Sequence, residues 1–178
     1  MARRVKVDVP ELVAAFETNS PEMEHFLDLQ TGQVVTVTED DQRAISDFEE
    51  EVEIQEDEDP KAKFEAWLED YDCPDWQVDS IRDAFLVETE FGARFIRVPK
   101  QESREGYSDM SDFAETVQDE RLRDLLSVAL NGKGAFRRFK DVLCDYPEER
   151  ERWFKYEEQQ ATKRVLDWLE SEDIEVEQ

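Results

Sequence analysis

The chain has 178 residues, 39% apolar and 11% aromatic, with only five Gly and six Pro, which suits one folded domain over residues 1–178 and argues against a low-complexity protein. Against 48 acidic residues stand 22 basic ones, a net charge of −26 that repels bulk nucleic acid and anionic lipid. A halophilic source, mimicry of a nucleic-acid backbone, and plain solvation of the surface would each account for this acidity. The N-terminus carries basic residues but no apolar stretch of a signal peptide, and the longest apolar run, Leu12–Phe16, is far too short to span a membrane. A cytoplasmic protein without a membrane segment is the expectation.

Pro10 and Glu11 predict the start of a short helix bearing Leu12, Val13 and Phe16. Two β-rich runs, 26–29 and 34–37, flank Gln30-Thr31-Gly32-Gln33 and predict a hairpin. Thr38 with Asp41 three residues on predicts a capped helix through about Phe48. From Glu39 to Asp59 there are twelve carboxylates and one Arg, so residues 49–59 are expected to form a mobile acidic segment. Pro60 then starts a helix with Phe64, Trp67 and Leu68 at helical spacing, and a second helix should carry Val78, Ile81 and Phe85. Alternation over Arg94–Pro99 predicts a strand that joins the hairpin in a small antiparallel sheet. Helices are predicted at about 111–116, 119–130, 135–143 and 148–171, with stripes Leu122, Leu125, Leu126, Ala129, Leu130 and Phe154, Ala161, Val165, Trp168, Leu169. The fold class is therefore α+β, with an N-terminal helix and hairpin and a mainly helical C-terminal half.

Catalytic and metal signatures are missing from this pattern. The chain has one His, His25, and two Cys, Cys73 and Cys144, without the paired spacing of a zinc site. It holds no nucleophile elbow, phosphate loop, metalloprotease helix or dinucleotide fingerprint, so no catalytic residue, metal ligand or cofactor is assigned. Carboxylate pairs occur everywhere in so acidic a chain and identify nothing.

One segment rises above this background. Between Arg121 and Lys140 six basic residues face one acidic residue, and Gly132 and Gly134 bracket Lys133 just before the helix that starts at Ala135. The candidate binding residues are Lys133, Gly134, Arg137, Arg138 and Lys140. Backbone amides at that helix start, joined by Lys133, have the form of an anion site, and Arg138 has the fork that holds a carboxylate or phosphate. The alternative for the same residues is to neutralise nearby carboxylates and tie helices together.

The run Gly132-Lys133-Gly134-Ala135-Phe136-Arg137-Arg138-Phe139-Lys140-Asp141 resembles the hallmark of a bacterial group known as uncharacterised protein family 0158. Phe26-Leu27-Asp28, Arg94-Phe95-Ile96, Ser103–Tyr107, Met110, Phe113, Asp119–Leu122, Trp153 and Trp168-Leu169 extend the similarity, while the acidic 39–59 stretch departs from it. The resemblance implies a small cytosolic protein and supplies no activity or catalytic residue. The expected function is a non-enzymatic binding or regulatory module that meets a protein partner or an anionic ligand through residues 132–140. The alternatives are a nucleic-acid-binding protein with a helix-turn-helix-like unit at 119–143, which the net charge disfavours, and an acidic DNA mimic.

Overall fold

The computed structural model describes residues 3–177, and in it the chain divides into two compact units. Among the described residues unit 1 gathers Arg3, Phe16–Asn19 and Lys100–Glu175; unit 2 gathers Arg4–Ala15, Ser20–Pro99, Val176 and Glu177. The order of elements is β1 (Arg3–Val5), α1 (Val9–Glu17), β2 (Met23–Asp28), β3 (Val34–Thr38), α2 (Glu39–Glu51), α3 (Pro60–Asp70), α4 (Asp75–Glu90), β4 (Phe95–Arg97), α5 (Ser103–Thr116), α6 (Glu120–Leu130), α7 (Ala135–Leu143), α8 (Pro147–Ser171) and β5 (Ile174–Val176). The fold is mixed α+β with a helical C-terminal half, as expected. Strands β1 and β5, which pair with each other, have no counterpart in the sequence reading: three residues each are too few for a period to show.

Unit 2 is built on the hairpin. Strands run β3-β2-β4, all antiparallel, with Phe26 opposite Val35 on one side and Arg97 on the other. The turn is held by Asp28, whose Oδ1 accepts from the Gln30 amide at 2.8 Å while Arg94 donates to both carboxylate oxygens, at 3.0 and 2.7 Å. Burial alone would raise the Asp28 carboxyl, but the Arg94 pair and the Gln30 amide outweigh it and hold the pKa below the usual value. Helix α2 starts on the Thr38–Asp41 capping box that the sequence predicts: Asp41 N donates to Thr38 Oγ1 and Thr38 N donates back to Asp41 Oδ2. Asp41 is also buried, and its other oxygen accepts from Ser80 of α4 at 2.7 Å, so one carboxylate caps one helix and docks a second. The core stacks Phe64 on Phe85 at 3.9 Å, with Phe48 edge-on to both. After α2 the chain crosses Val52–Asp59 with no helix or strand, and Asp59 then caps α3 through the Lys61 amide.

Unit 1 packs α5 to α8 around Trp153, which is buried among Phe113, Phe139 and Tyr156. Its edge-on partners Phe139 and Phe113 lie 4.9 and 5.2 Å away by ring centroid, each such pair contributing about 0.5–1.5 kcal/mol beyond burial. Three expectations are corrected here. Helix α5 begins at Ser103 instead of 111, because Glu105 Oε2 accepts from the Glu102 amide and stabilises an earlier start. In α8 the inward stripe is Trp153, Ala161, Val165 and Leu169, and Phe154 points out, 41% exposed. In α6 Leu125 is likewise exposed, whereas Leu122, Leu126, Ala129 and Leu130 are buried. Trp168 is half-buried and meets Phe16 edge-on at 5.6 Å.

Candidate functional site

The basic segment sits on the α6–α7 connection of unit 1. Helix α6 ends at Leu130, leaving its last carbonyls without intrahelical donors. Two side chains supply them: Tyr107 Oη donates to Leu130 O at 3.1 Å, and the Arg138 guanidinium donates to Asn131 O. Arg138 reaches that oxygen because the chain doubles back through two left-handed residues, Gly132 (φ 84°) and Gly134 (φ 75°), a conformation that side-chain-bearing residues rarely hold. A cation at a helix C-terminus also meets the negative end of the dipole. Arg138 is thus engaged as a clamp on α6.

The other candidates divide by position. Helix α7 anchors itself through Ala135, Phe139 and Leu143, all buried. On its outer face Arg137 has a side chain 89% exposed and stands 3.8 Å from Asp141, a loose i,i+4 pair. Lys133 and Gly134 are exposed, and Lys133 makes no ion pair among the described residues. Lys140 turns the other way, its Nζ 3.8 Å from Glu157 Oε1. Lys133, Gly134 and Arg137 therefore share the open surface, while Arg138 and Lys140 are turned to the protein.

Beneath α7 lies a small cavity of about 70 Å³, walled by Gly106, Phe136, Lys140, Trp153 and Glu157. Gly106 lets Phe136 close over it, since a Cβ there would stand 3.0 Å from the ring. Burial pushes the Glu157 carboxyl above its usual range, Glu17 and Asp109 add to the rise, and Lys140 offsets it. Asp109 is buried and accepts from Arg164, whose Nε also lies 3.7 Å from Glu105. Trp153 Nε1 has no hydrogen-bond partner among the described residues. This polar group was missed by sequence reasoning, because Asp109, Glu157 and Arg164 lie among solvent-facing charges of the same types. The cavity is far below the ~300–1,000 Å³ of usual small-molecule sites and has no room for a nucleotide or organic cofactor. Among the described residues no cluster of His, Cys, Asp or Glu is arranged to hold a metal ion, and no helix is long and apolar enough to cross a membrane.

Comparison with known proteins agrees with the resemblance read from the sequence. Residues 65–177 match the model of "Uncharacterised protein family (UPF0158)", a stretch that takes in α5 to α8 and the whole α6–α7 segment. The UPF0158 protein PA5073 of Pseudomonas aeruginosa is 25% identical over 172 residues, covering 97% of this chain and 86% of that protein. No solved structure matches the chain.

Proposed function

This chain belongs to the uncharacterised protein family UPF0158, and we propose that it works as a non-enzymatic binding module that contacts a protein partner or an anionic ligand through residues 132–140. The observation that carries this reading is the outward face of α7. Its inner face is fully engaged in the core, yet Lys133 lacks an ion pair among the described residues and Arg137 is almost wholly exposed, in a chain with surplus carboxylate to pair them. Cations left open in so acidic a protein favour an acidic surface or a phosphate-bearing group as the partner. The helix-turn-helix-like pairing of α6 and α7 is retained as the second reading, because Arg137 lies on the exposed side of the second helix. With Arg138 and Lys140 engaged, Arg121, Lys133 and Arg137 remain for phosphate contact, which is few for a duplex.

Capture from cell extract by wild type and by Lys133→Gln/Arg137→Gln tests the proposal, with melting temperature measured in parallel. The expected result is one retained partner, lost in the variant at unchanged melting temperature. Nucleic acid eluting with salt would select the second reading, basic proteins alone eluting with salt would select DNA mimicry, and equal retention by both forms would rule out the α7 face.

A further inference from the structure

Trp153 is 2% exposed, yet its indole Nε1 meets no hydrogen-bond acceptor among the described residues. Leaving a buried donor unmade is costly, so a group of this kind normally finds an acceptor. Phe113 and Phe139 stand edge-on to the ring and bring no oxygen to it. The indole is also a wall of the cavity beneath α7. Glu157, one turn further along α8, is a second wall, and the i,i+4 spacing makes the two side chains neighbours.

The cavity walls carry both signs of charge. Glu17 comes from α1, Asp109 from α5 and Glu157 from α8, while Lys140 of α7 and Arg164 of α8 are the cations. Arg164 is taken by Asp109 and stands 3.7 Å from Glu105; Lys140 stands 3.8 Å from Glu157. Three carboxylates against two cations disfavour a bound anion, and a bound cation would meet Lys140, Arg164 and the indole N–H. A neutral molecule that both accepts and donates suits these walls. The volume of about 70 Å³ exceeds the ~10–15 Å³ that one water needs, and lies far below that of organic-ligand sites.

We propose that this cavity is an ordered-water site, in which water accepts from Trp153 Nε1 and donates to the Glu157 carboxylate. Such a bridge gives the buried donor its acceptor at an enthalpy close to that of a direct bond. It also joins the core ring of unit 1 to a titrating acid. Burial pushes the Glu157 carboxyl above its usual range, Glu17 and Asp109 add to the rise, and Lys140 offsets it. When Glu157 takes up its proton, an oxygen that only accepted becomes a donor, and the water must reorient. The indole N–H then reports the charge on Glu157.

NMR of the full, nitrogen-labelled chain tests this at the indole signal of Trp153, identified as the one that survives each of Trp67→Phe, Trp76→Phe and Trp168→Phe. The expected result is magnetisation transfer from a long-lived water to that indole proton, and a stepwise shift of its signal as Glu157 titrates. Glu157→Gln, whose side chain still accepts a hydrogen bond, should keep the water transfer and lose the step. Glu157→Leu, which removes the acceptor, should weaken the transfer as well. No water transfer in wild type, with an indole proton shielded by a ring, would place the N–H on the face of Phe113 or Phe139 and overturn the site. A step that persists in Glu157→Gln would assign the titration to Glu17, Glu105 or Asp109 and overturn the bridge, as would a water transfer unchanged in Glu157→Leu.

Discussion

The acidic groups that face inward in unit 1 are consumed by that unit's own cations: Asp109 by Arg164, and Glu157, more loosely, by Lys140. In unit 2 the pairing is divided. Asp28 is locked by Arg94 and Glu24 by Arg97, but the exposed Glu49 and Glu88 form no ion pair among the described residues. The difference separates charge that holds the fold from charge that solvates its surface. A buried carboxylate without a partner is costly, so paired acids mark structure. An exposed carboxylate in so acidic a chain is solvated and adds little to the fold.

The largest effects should come from the two cores. Trp153→Ala in unit 1 and Phe64→Ala in unit 2 are each expected to cost about 3–5 kcal/mol in chemical denaturation, since both rings are buried. We propose that the units unfold together, so both variants should shift one common transition; two separate transitions would break the chain into independent domains. Half-buried Trp168→Ala should cost less than Trp153→Ala.

Next come the inward acids. Asp109→Ala leaves Arg164 without its close partner and should cost about 2–3 kcal/mol, below the cost for a sealed pair because Glu105 remains nearby. Asp28 and Glu157 should answer pH with opposite signs. The folded pKa of Asp28 lies below its unfolded value, so its stabilisation is present above the unfolded pKa and is lost as pH falls through the folded one. Asp28→Asn is therefore expected to melt earlier at neutral pH, with the gap closing on acidification. Glu157 has a raised folded pKa, so the fold binds its proton more tightly and loses stability as pH rises through that value. Glu157→Gln should melt slightly later at neutral pH, with this gap also closing in acid. Melting temperatures from neutral to about pH 4 check both signs.

The smallest effects belong to the outer face of α7. Lys133→Gln and Arg137→Gln should change stability by less than about 0.5 kcal/mol, whereas Arg138→Gln should cost about 1 kcal/mol through the lost bond to Asn131 O. Denaturation of the three variants side by side separates surface from clamp.

Much of this arrangement was legible in the sequence. The Thr38–Asp41 box, the hairpin around Gly32 and the helix starts at Pro60 and Asp119 are local signals, and the structure bears them out. What was lost depended on partners distant in sequence. The inward face of α8 runs Trp153, Glu157, Ala161, Val165, Leu169 in steps of four, and a glutamate in that row breaks the apolar pattern, so the sequence points to Phe154 as core instead. Leu125 completed a plausible stripe but lies beyond the buried face of α6. Within the candidate site, the exposure of Arg137 follows from the helical wheel, which sets it opposite the apolar face of α7, and Lys133 lies in the Gly-bracketed turn before that helix. The clamp made by Arg138 does not, because its acceptor is a backbone oxygen brought within reach by two left-handed glycines.

The most direct test sets the exposed cations of residues 133–137 against exposed carboxylates in one extract-capture experiment, using Lys133→Gln/Arg137→Gln and, as the control of opposite charge, Glu49→Gln/Glu88→Gln. The expected result is a partner lost only with the first variant and kept with the second, both proteins melting as wild type does. Loss with both variants alike, or with neither, would contradict a partner held by the basic face of α7.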